Sequence, residues 1–334
     1  MPSNLNCPAP IDIREDNLMA LSAEVLDTLL RDHTTGCNIF WATHDYESFG
    51  SEYAYHSQIM PHLINGKHGM VVLPRVQKNK ERQTDRVKDM AEVFTPSWIC
   101  NKQNNLIDNA WFGREDVFNS EIDNPDGTHS WIPSEGRIIF PDGKTWRDYI
   151  NENRLEITCG EAPYLVSRYD AVTGEVIPIE RRIGLLDRKL RIVGENTDTS
   201  GEWLKAAQSA FMSTYGYEWQ GDSLFLARAN LLYTFIDYFK TKFGHEPQLK
   251  SIQYIAYIIS WNIWQMDGLK GVIPDSCGER KVLEHTIFGD EERVTFCMGC
   301  KNDDIRTHNG TYALVKDWNA RKGKEKIRFI DLIR

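Results

Sequence analysis

Apolar residues first recur at helical spacing at Leu18, Leu21, Val25, Leu26, Leu29 and Leu30, which predicts a helix within residues 11–36 capped by Asp16 or Asn17. Met70-Val71-Val72-Leu73 is a short apolar run closed by Pro74 and predicts a strand. Asn124-Pro125-Asp126-Gly127 and Pro141-Asp142-Gly143 have the composition of tight turns, and Arg137 to Tyr149 otherwise reads as strand-like and aromatic. A short apolar strand carrying Glu156 breaks into the small-residue turn Cys159-Gly160-Glu161-Ala162. Residues 200–243 carry a long helical pattern. Ser251 to Ile263 is too apolar for a surface and predicts a buried helix running into a short strand, and Ile327 to Ile333 is the last strand candidate. Strands alternating with helices predict an α/β sheet, without internal repeats or low-complexity linkers.

Composition narrows the class. The chain has 334 residues, 41% of them hydrophobic and 11% aromatic, enough for one large α/β domain or two smaller ones with a substantial core. No run approaches the ~20 apolar residues of a membrane span. Residues 1–20 hold Asp12, Arg14, Glu15 and Asp16 where a signal peptide has its apolar segment, so a cytoplasmic protein is expected. Seven cysteines, an odd number, then point to reduced thiols. A net charge of −9 counts against a broad nucleic-acid groove. The basic stretches Arg75 to Lys88 and Arg181 to Arg191 read as solvated faces. No phosphate-binding loop, nucleophile elbow or zinc-protease motif occurs. Glu279-Arg280-Lys281 follows Pro274-Asp275 too closely, in a turn-like stretch, to read as a nuclease site.

Four segments line up as one kind of site: Phe94-Thr95-Pro96, the Glu156 to Leu165 turn, Tyr215 to Leu224 with Glu218, and Asn262 to Leu269 with Asp267. In this order they resemble the S-adenosylmethionine-dependent DNA adenine-N6 methyltransferases, the modification (M) subunits of restriction-modification systems. The resemblance implies an α/β, Rossmann-like class I methyltransferase fold over residues 91–334, preceded by an N-terminal mixed α/β region over residues 1–90. It implies that Phe94, Thr95, Pro96, Glu156, Cys159, Gly160, Tyr164, Glu218 and Asp267 bind S-adenosyl-L-methionine. Glu218 takes the ribose hydroxyls and Asp267 lies near the cofactor adenine. The physics agrees: small residues let backbone amides approach a ligand, and a strand-end acid can accept both ribose hydroxyls.

The departures are specific. Ile157 stands where the family has Pro, and Ala162 where it has a second Gly. The family's catalytic tetrapeptide, (Asn, Asp or Ser)-Pro-Pro-(Tyr or Phe), needs adjacent prolines; this chain has 13 prolines and no two are adjacent. No catalytic residue is therefore assigned. Phe329 to Ile333 resembles the strand that leads into the tetrapeptide. Three readings follow: a DNA methyltransferase that needs a partner, such as a restriction or specificity subunit; a catalytically inactive cofactor-binding scaffold; or an unfamiliar residue set that does the chemistry, with Asn262 and Trp264 nearest to an amide plus an aromatic. DNA is the expected substrate of the first. Separately, Cys297-Met298-Gly299-Cys300 with Cys277 and His285, or His308, could chelate a structural Zn²⁺ in a Cys-rich insertion at 275–310. A redox pair is disfavoured on the expectation that a redox Cys-x-x-Cys opens a helix after a strand.

Overall fold

The computed structural model describes residues 22–78, 95–286 and 289–333, with backbone alone over 280–286 and 289–293. Its elements run α1 (Ala23–Leu30), α2 (Pro61–Ile64), α3 (Ser97–Phe112), β1 (Asn119–Asp123), β2 (His129–Pro133), α4 (Trp146–Ile150), β3 (Arg154–Glu156) and α5 (Leu185–Asn196). Then come α6 (Ser200–Met212), β4 (Thr214–Glu218), α7 (Gly221–Phe243), α8 (Leu249–Asn262) and β5 (Ile263–Gln265). The hairpin of β6 (Arg280–Thr286) and β7 (Gly289–Thr295), α9 (Met298–Asn302), and the hairpin of β8 (Leu314–Lys316) and β9 (Lys326–Arg328) complete it. The chain is a mixed α/β protein, and no described helix is long and apolar enough to cross a membrane.

β3, β4 and β5 form a three-stranded parallel sheet in sequential order, Glu156 beside Gly216 and Glu218 beside Gln265. Gly216 suits the middle strand because a Cβ there would stand 3.3 Å from both Cys159 Sγ and Ile263 Cδ1. Behind the sheet, α7 is buried on nearly every side from Gly221 to Phe239, so it carries no simple apolar stripe. Residues of α1 and of the 39–72 segment share one continuous hydrophobic core with α5, α6, α7 and α8. Arg228, wholly buried on α7, joins them: it donates to the carbonyls of Leu29, Arg31, Ser260 and Ile263.

Several expectations are corrected here. Met70 to Leu73 forms turns, its Val71 and Val72 filling the core without a strand partner among the described residues. Arg137 to Tyr149 is irregular chain, a turn closed by Lys144 N–H to Pro141, and the start of α4; Thr145 and Asp148 cap that helix reciprocally. The 200–243 pattern is two helices separated by β4. β9 stops at Arg328, and Phe329–Leu332 winds into a 3₁₀ turn. Within Arg181 to Arg191, Arg188 and Lys189 are fully buried, not solvated. Arg188 donates to Asp108, Asn101 and Asn105. Lys189 donates to the carbonyls of Glu152 and Ser213 and to the Ser213 and Thr214 hydroxyls. Of the N-terminal helix, residues 11–21 lie outside the described residues.

Candidate functional site

The carboxyl ends of the three parallel strands are tied together by the loop that follows β3. Thr158, Gly160 and Ala162 adopt the left-handed region, with φ of 46°, 52° and 64°. Glycine accepts this readily; Thr158 and Ala162 hold it under strain. The winding turns successive amides toward β4: Cys159 N–H donates to the Tyr217 carbonyl at 2.8 Å, and Gly160 N–H donates to Glu218 Oε2 at 2.8 Å. Glu218 Oε1 accepts from the Trp219 and Gln220 amides at 2.8 and 3.2 Å, and the Glu218 carbonyl accepts from Met266 N–H just past β5.

Each expected residue can now be located. Phe94 lies outside the described residues. Thr95 and Pro96 lead into α3, and the Tyr164 phenol reaches Thr95. Glu156 is buried and accepts from the Tyr164 and Leu165 amides, so its carboxyl braces the loop. Burial raises its pKa well above the usual carboxylate range; those two amides oppose the shift and Glu218 adds to it. Cys159 is buried against Gly216, leaving only its backbone at the edge, and burial likewise raises its thiol pKa. Asp267 opens the turn after β5 and accepts from the Leu269 and Lys270 amides, with Lys270 Nζ 3.4 Å away. Glu156, Cys159, Gly160, Glu218 and Asp267 thus stand at or just past the carboxyl ends of β3, β4 and β5, with Tyr164 in the chain after β3 and Thr95 joined to it.

Sequence reasoning missed three residues there. Glu161 is buried in the same loop and accepts from the Arg75 amide and the Tyr169 phenol. Asp222, fully buried in the first turn of α7, accepts from Tyr46 at 2.7 Å and from Lys78 Nζ at 3.0 Å. An acid one residue inside a helix after a strand is a legible sign of this, since the helix N-terminus favours negative charge. Gln265 ends β5 and clamps the segment after α1, donating to the Phe40 and Trp219 carbonyls and accepting from the Phe40 amide.

The second site is a cluster of Cys277, Cys297, Cys300 and His308, whose four ligand atoms lie within 4.8 Å of one another and could hold a metal ion. Cys277 Sγ lies 3.1 Å from Cys297 Sγ, 3.4 Å from Cys300 Sγ and 3.3 Å from His308 Nδ1. His308 Nδ1 is 3.5 Å from Cys297 and 3.7 Å from Cys300. Zinc bonds of about 2.3 Å to sulfur and about 2.0–2.1 Å to nitrogen give tetrahedral edges of about 3.5–3.8 Å, close to this spacing. Gly299 permits the approach, because a Cβ there would stand 2.6 Å from His308 N and Nδ1. Burial raises the Cys277 thiol to about 12, with Cys297 and Cys300 adding to the shift. The Cys297 thiol, resisted by burial, is drawn down to about 5 by donors that include the Cys300 and Asn309 amides. His285 lies on β6 among the residues described by backbone alone, and His308 occupies the fourth corner. The Cys-x-x-Cys does open a short helix after a strand, contrary to the expectation used against a redox role. What favours a metal is the third thiol and the imidazole within reach.

Lys270 links the two sites, standing beside Asp267 and within electrostatic range of Cys300 and Cys277. No family model matches this chain, and neither a curated protein nor a solved structure matches it.

Proposed function

We propose that this chain is a Rossmann-like, S-adenosylmethionine-binding subunit of a DNA adenine methyltransferase, dependent on a second polypeptide for catalysis. One observation carries the reading: the Gly160 amide and the Glu218 carboxylate meet at 2.8 Å where three parallel strands end. In open α/β sheets this carboxyl edge is where nucleotide-like ligands bind, with a strand-end acid for ribose hydroxyls and a small-residue turn for close backbone approach. Glu218 would exchange its contact with Gly160 for the ribose. Asp267 would face the adenine, and Thr95 and Tyr164 would flank the cofactor. Glu156 orients the turn by holding its amides. When bound, the cofactor supplies an electrophilic methyl group.

The partner is inferred from the absence of adjacent prolines, since the tetrapeptide is what orients a target amino group. DNA contact has support in the β8–β9 hairpin. Lys316, Arg321, Lys322, Lys324, Lys326 and Arg328 outnumber Asp317 and Glu325 on it, and Lys316 lies over the rings of Tyr257, Trp261 and Trp318. Zinc at the four-ligand cluster fits a structural role, because all four positions are filled by protein and none is left for substrate.

Calorimetric titration of the full chain with S-adenosylmethionine tests the reading. Binding is expected, and Glu218→Gln should weaken it about tenfold or more, the weight of a lost charge-assisted hydrogen bond. No heat of binding, or binding that Glu218→Gln leaves unchanged, removes the assignment.

A further inference from the structure

The three thiols of the metal cluster lie at different depths. Cys297 is 4% exposed, Cys277 is half-buried and Cys300 is exposed. An open cavity of about 680 Å³ leads to Cys300 and His308, and Lys270, Asp303, Asp304 and Ile305 line its walls. A small molecule reaches the Cys300 sulfur from there, while Cys297 is shielded. The two acids oppose anions but not an uncharged peroxide. Lys270 stands on the same wall, and a neighbouring cation favours the thiolate, which is the nucleophilic form. Cys277 Sγ, 3.4 Å from Cys300 Sγ, is placed to bond to it once Cys300 is oxidised.

The cluster is also fastened to the turn after β5. His308 N–H donates to the Tyr312 phenol oxygen at 2.8 Å, and the Tyr312 backbone pairs with Val272. The Val272 carbonyl accepts from the Asp267 amide at 2.8 Å. Two further bonds join the same stretches, from Ile273 N–H to the Thr311 carbonyl and from Ala313 N–H to the Gly271 carbonyl. His308, a ligand of the cluster, is thus connected to Asp267 through Tyr312 and Val272.

We propose that Cys300 is a peroxide-reactive site and that its oxidation empties the cluster and loosens the Asp267 turn. The inference rests on the zinc reading of the cluster and not on the methyltransferase reading. The Cys300 thiolate attacks one oxygen of hydrogen peroxide, the O–O bond breaks, and hydroxide leaves as a sulfenic acid forms. The Cys277 thiolate then attacks that sulfur, the S–O bond breaks, and a second hydroxide leaves. Both hydroxides take up solvent protons and become water. The sulfur pair is oxidised to a disulfide and the peroxide is reduced. Cys297 and His308 alone remain as ligands, too few to hold the ion.

Zinc is first counted in the purified full chain, where about one per chain is expected. Metal-free protein would remove the zinc reading, and this inference with it, before any oxidation is tried. Hydrogen peroxide is then added to the zinc-loaded chain beside a chromogenic zinc chelator. The expected results are zinc release, a Cys277–Cys300 disulfide in peptide mass mapping, and reloading after a thiol reductant and zinc are supplied. Amide exchange over residues 267–273 should rise on oxidation while α7 stays protected. Cys37→Ser, at an exposed thiol outside the cluster, should release zinc at the wild-type rate. Cys300→Ser should slow release several-fold where it still loads zinc, and the wild-type disulfide map decides the matter where it does not. Zinc that peroxide leaves bound, a bridge other than Cys277–Cys300, or release without faster exchange over 267–273 overturns the proposal.

Discussion

The Gly160 amide donates to the Glu218 carboxylate across two neighbouring strand ends, although 58 residues separate them in the chain. The same carboxylate serves the Trp219 and Gln220 amides, so it organises both the β3 loop and the entry to α7. Glu218→Ala removes the acceptor from three amides and should destabilise the fold by about 1–3 kcal/mol. Glu218→Gln keeps one acceptor oxygen and should cost less. Urea denaturation of the two variants checks this order, and equal losses would contradict it.

Gly221 begins α7 against the Phe40 carbonyl, and a Cβ there would collide with that oxygen. Its own amide donates to the Trp41 carbonyl at 2.9 Å, so neither side has room to retreat. Gly221→Ala should lower stability by about 1–3 kcal/mol or more, as overpacking does. Gly244, left-handed at φ 75° with open space around it, is the comparison: Gly244→Ala should cost only about 1 kcal/mol. Thermal melts that rank the two in the opposite order would refute the close approach.

Arg228 is the buried hub between α1, α7, α8 and β5. Burial lowers its pKa to about 10, against the opposing effects of Asp32 and Cys159, so it remains charged at neutral pH. Arg228→Met fills much of the volume but leaves four carbonyls without their donor. A loss of about 3 kcal/mol or more is expected in denaturant titrations. A near-neutral result would mean that water replaces the guanidinium.

Metal analysis of purified protein should find about one zinc per chain. Cys297→Ser should lower that content, and Cys37→Ser, at an exposed thiol outside the cluster, should not. Chelation should raise amide exchange over residues 275–310 while α7 stays protected, since binding energy at such a site is folding energy for the segment it closes. Metal-free protein with unchanged exchange would dispose of the zinc.

His33 stacks on Trp261 with ring centres 3.9 Å apart and planes 4° from parallel, and bonds Ser260 Oγ at 2.8 Å. Burial, followed by the charges of Arg228, Arg31, Lys326 and Lys316, lowers its pKa from the ordinary 6.5 to about 3. Between these values the unfolded chain takes up a proton that the folded chain refuses, so stability rises with pH. The contribution is present above 6.5 and is lost as pH falls toward 3. His33→Phe keeps a stacked ring and removes the titration. Its stability should therefore change less than wild type between about pH 7.5 and about pH 4.5.

The sequence by itself determined what local pattern can encode. The apolar run from Ser251 to Ile263 became α8 and β5, and Asn124 to Gly127 became the β1–β2 turn, because helical period and turn chemistry act over a few residues. Strands alternating with helices likewise predicted a mixed α/β protein, which is what the structure shows. What only the tertiary structure decided were matters of closure between distant segments. Whether Arg188 and Lys189 face water or a polar core depends on Asp108 and Ser213, which no local pattern reveals. His308 stands with the three thiols because the chain folds back past Gly299, a geometry that spacing leaves open. Met70 to Leu73 has the composition of a strand but no neighbour to pair with among the described residues, and a strand exists only when another segment supplies its hydrogen bonds.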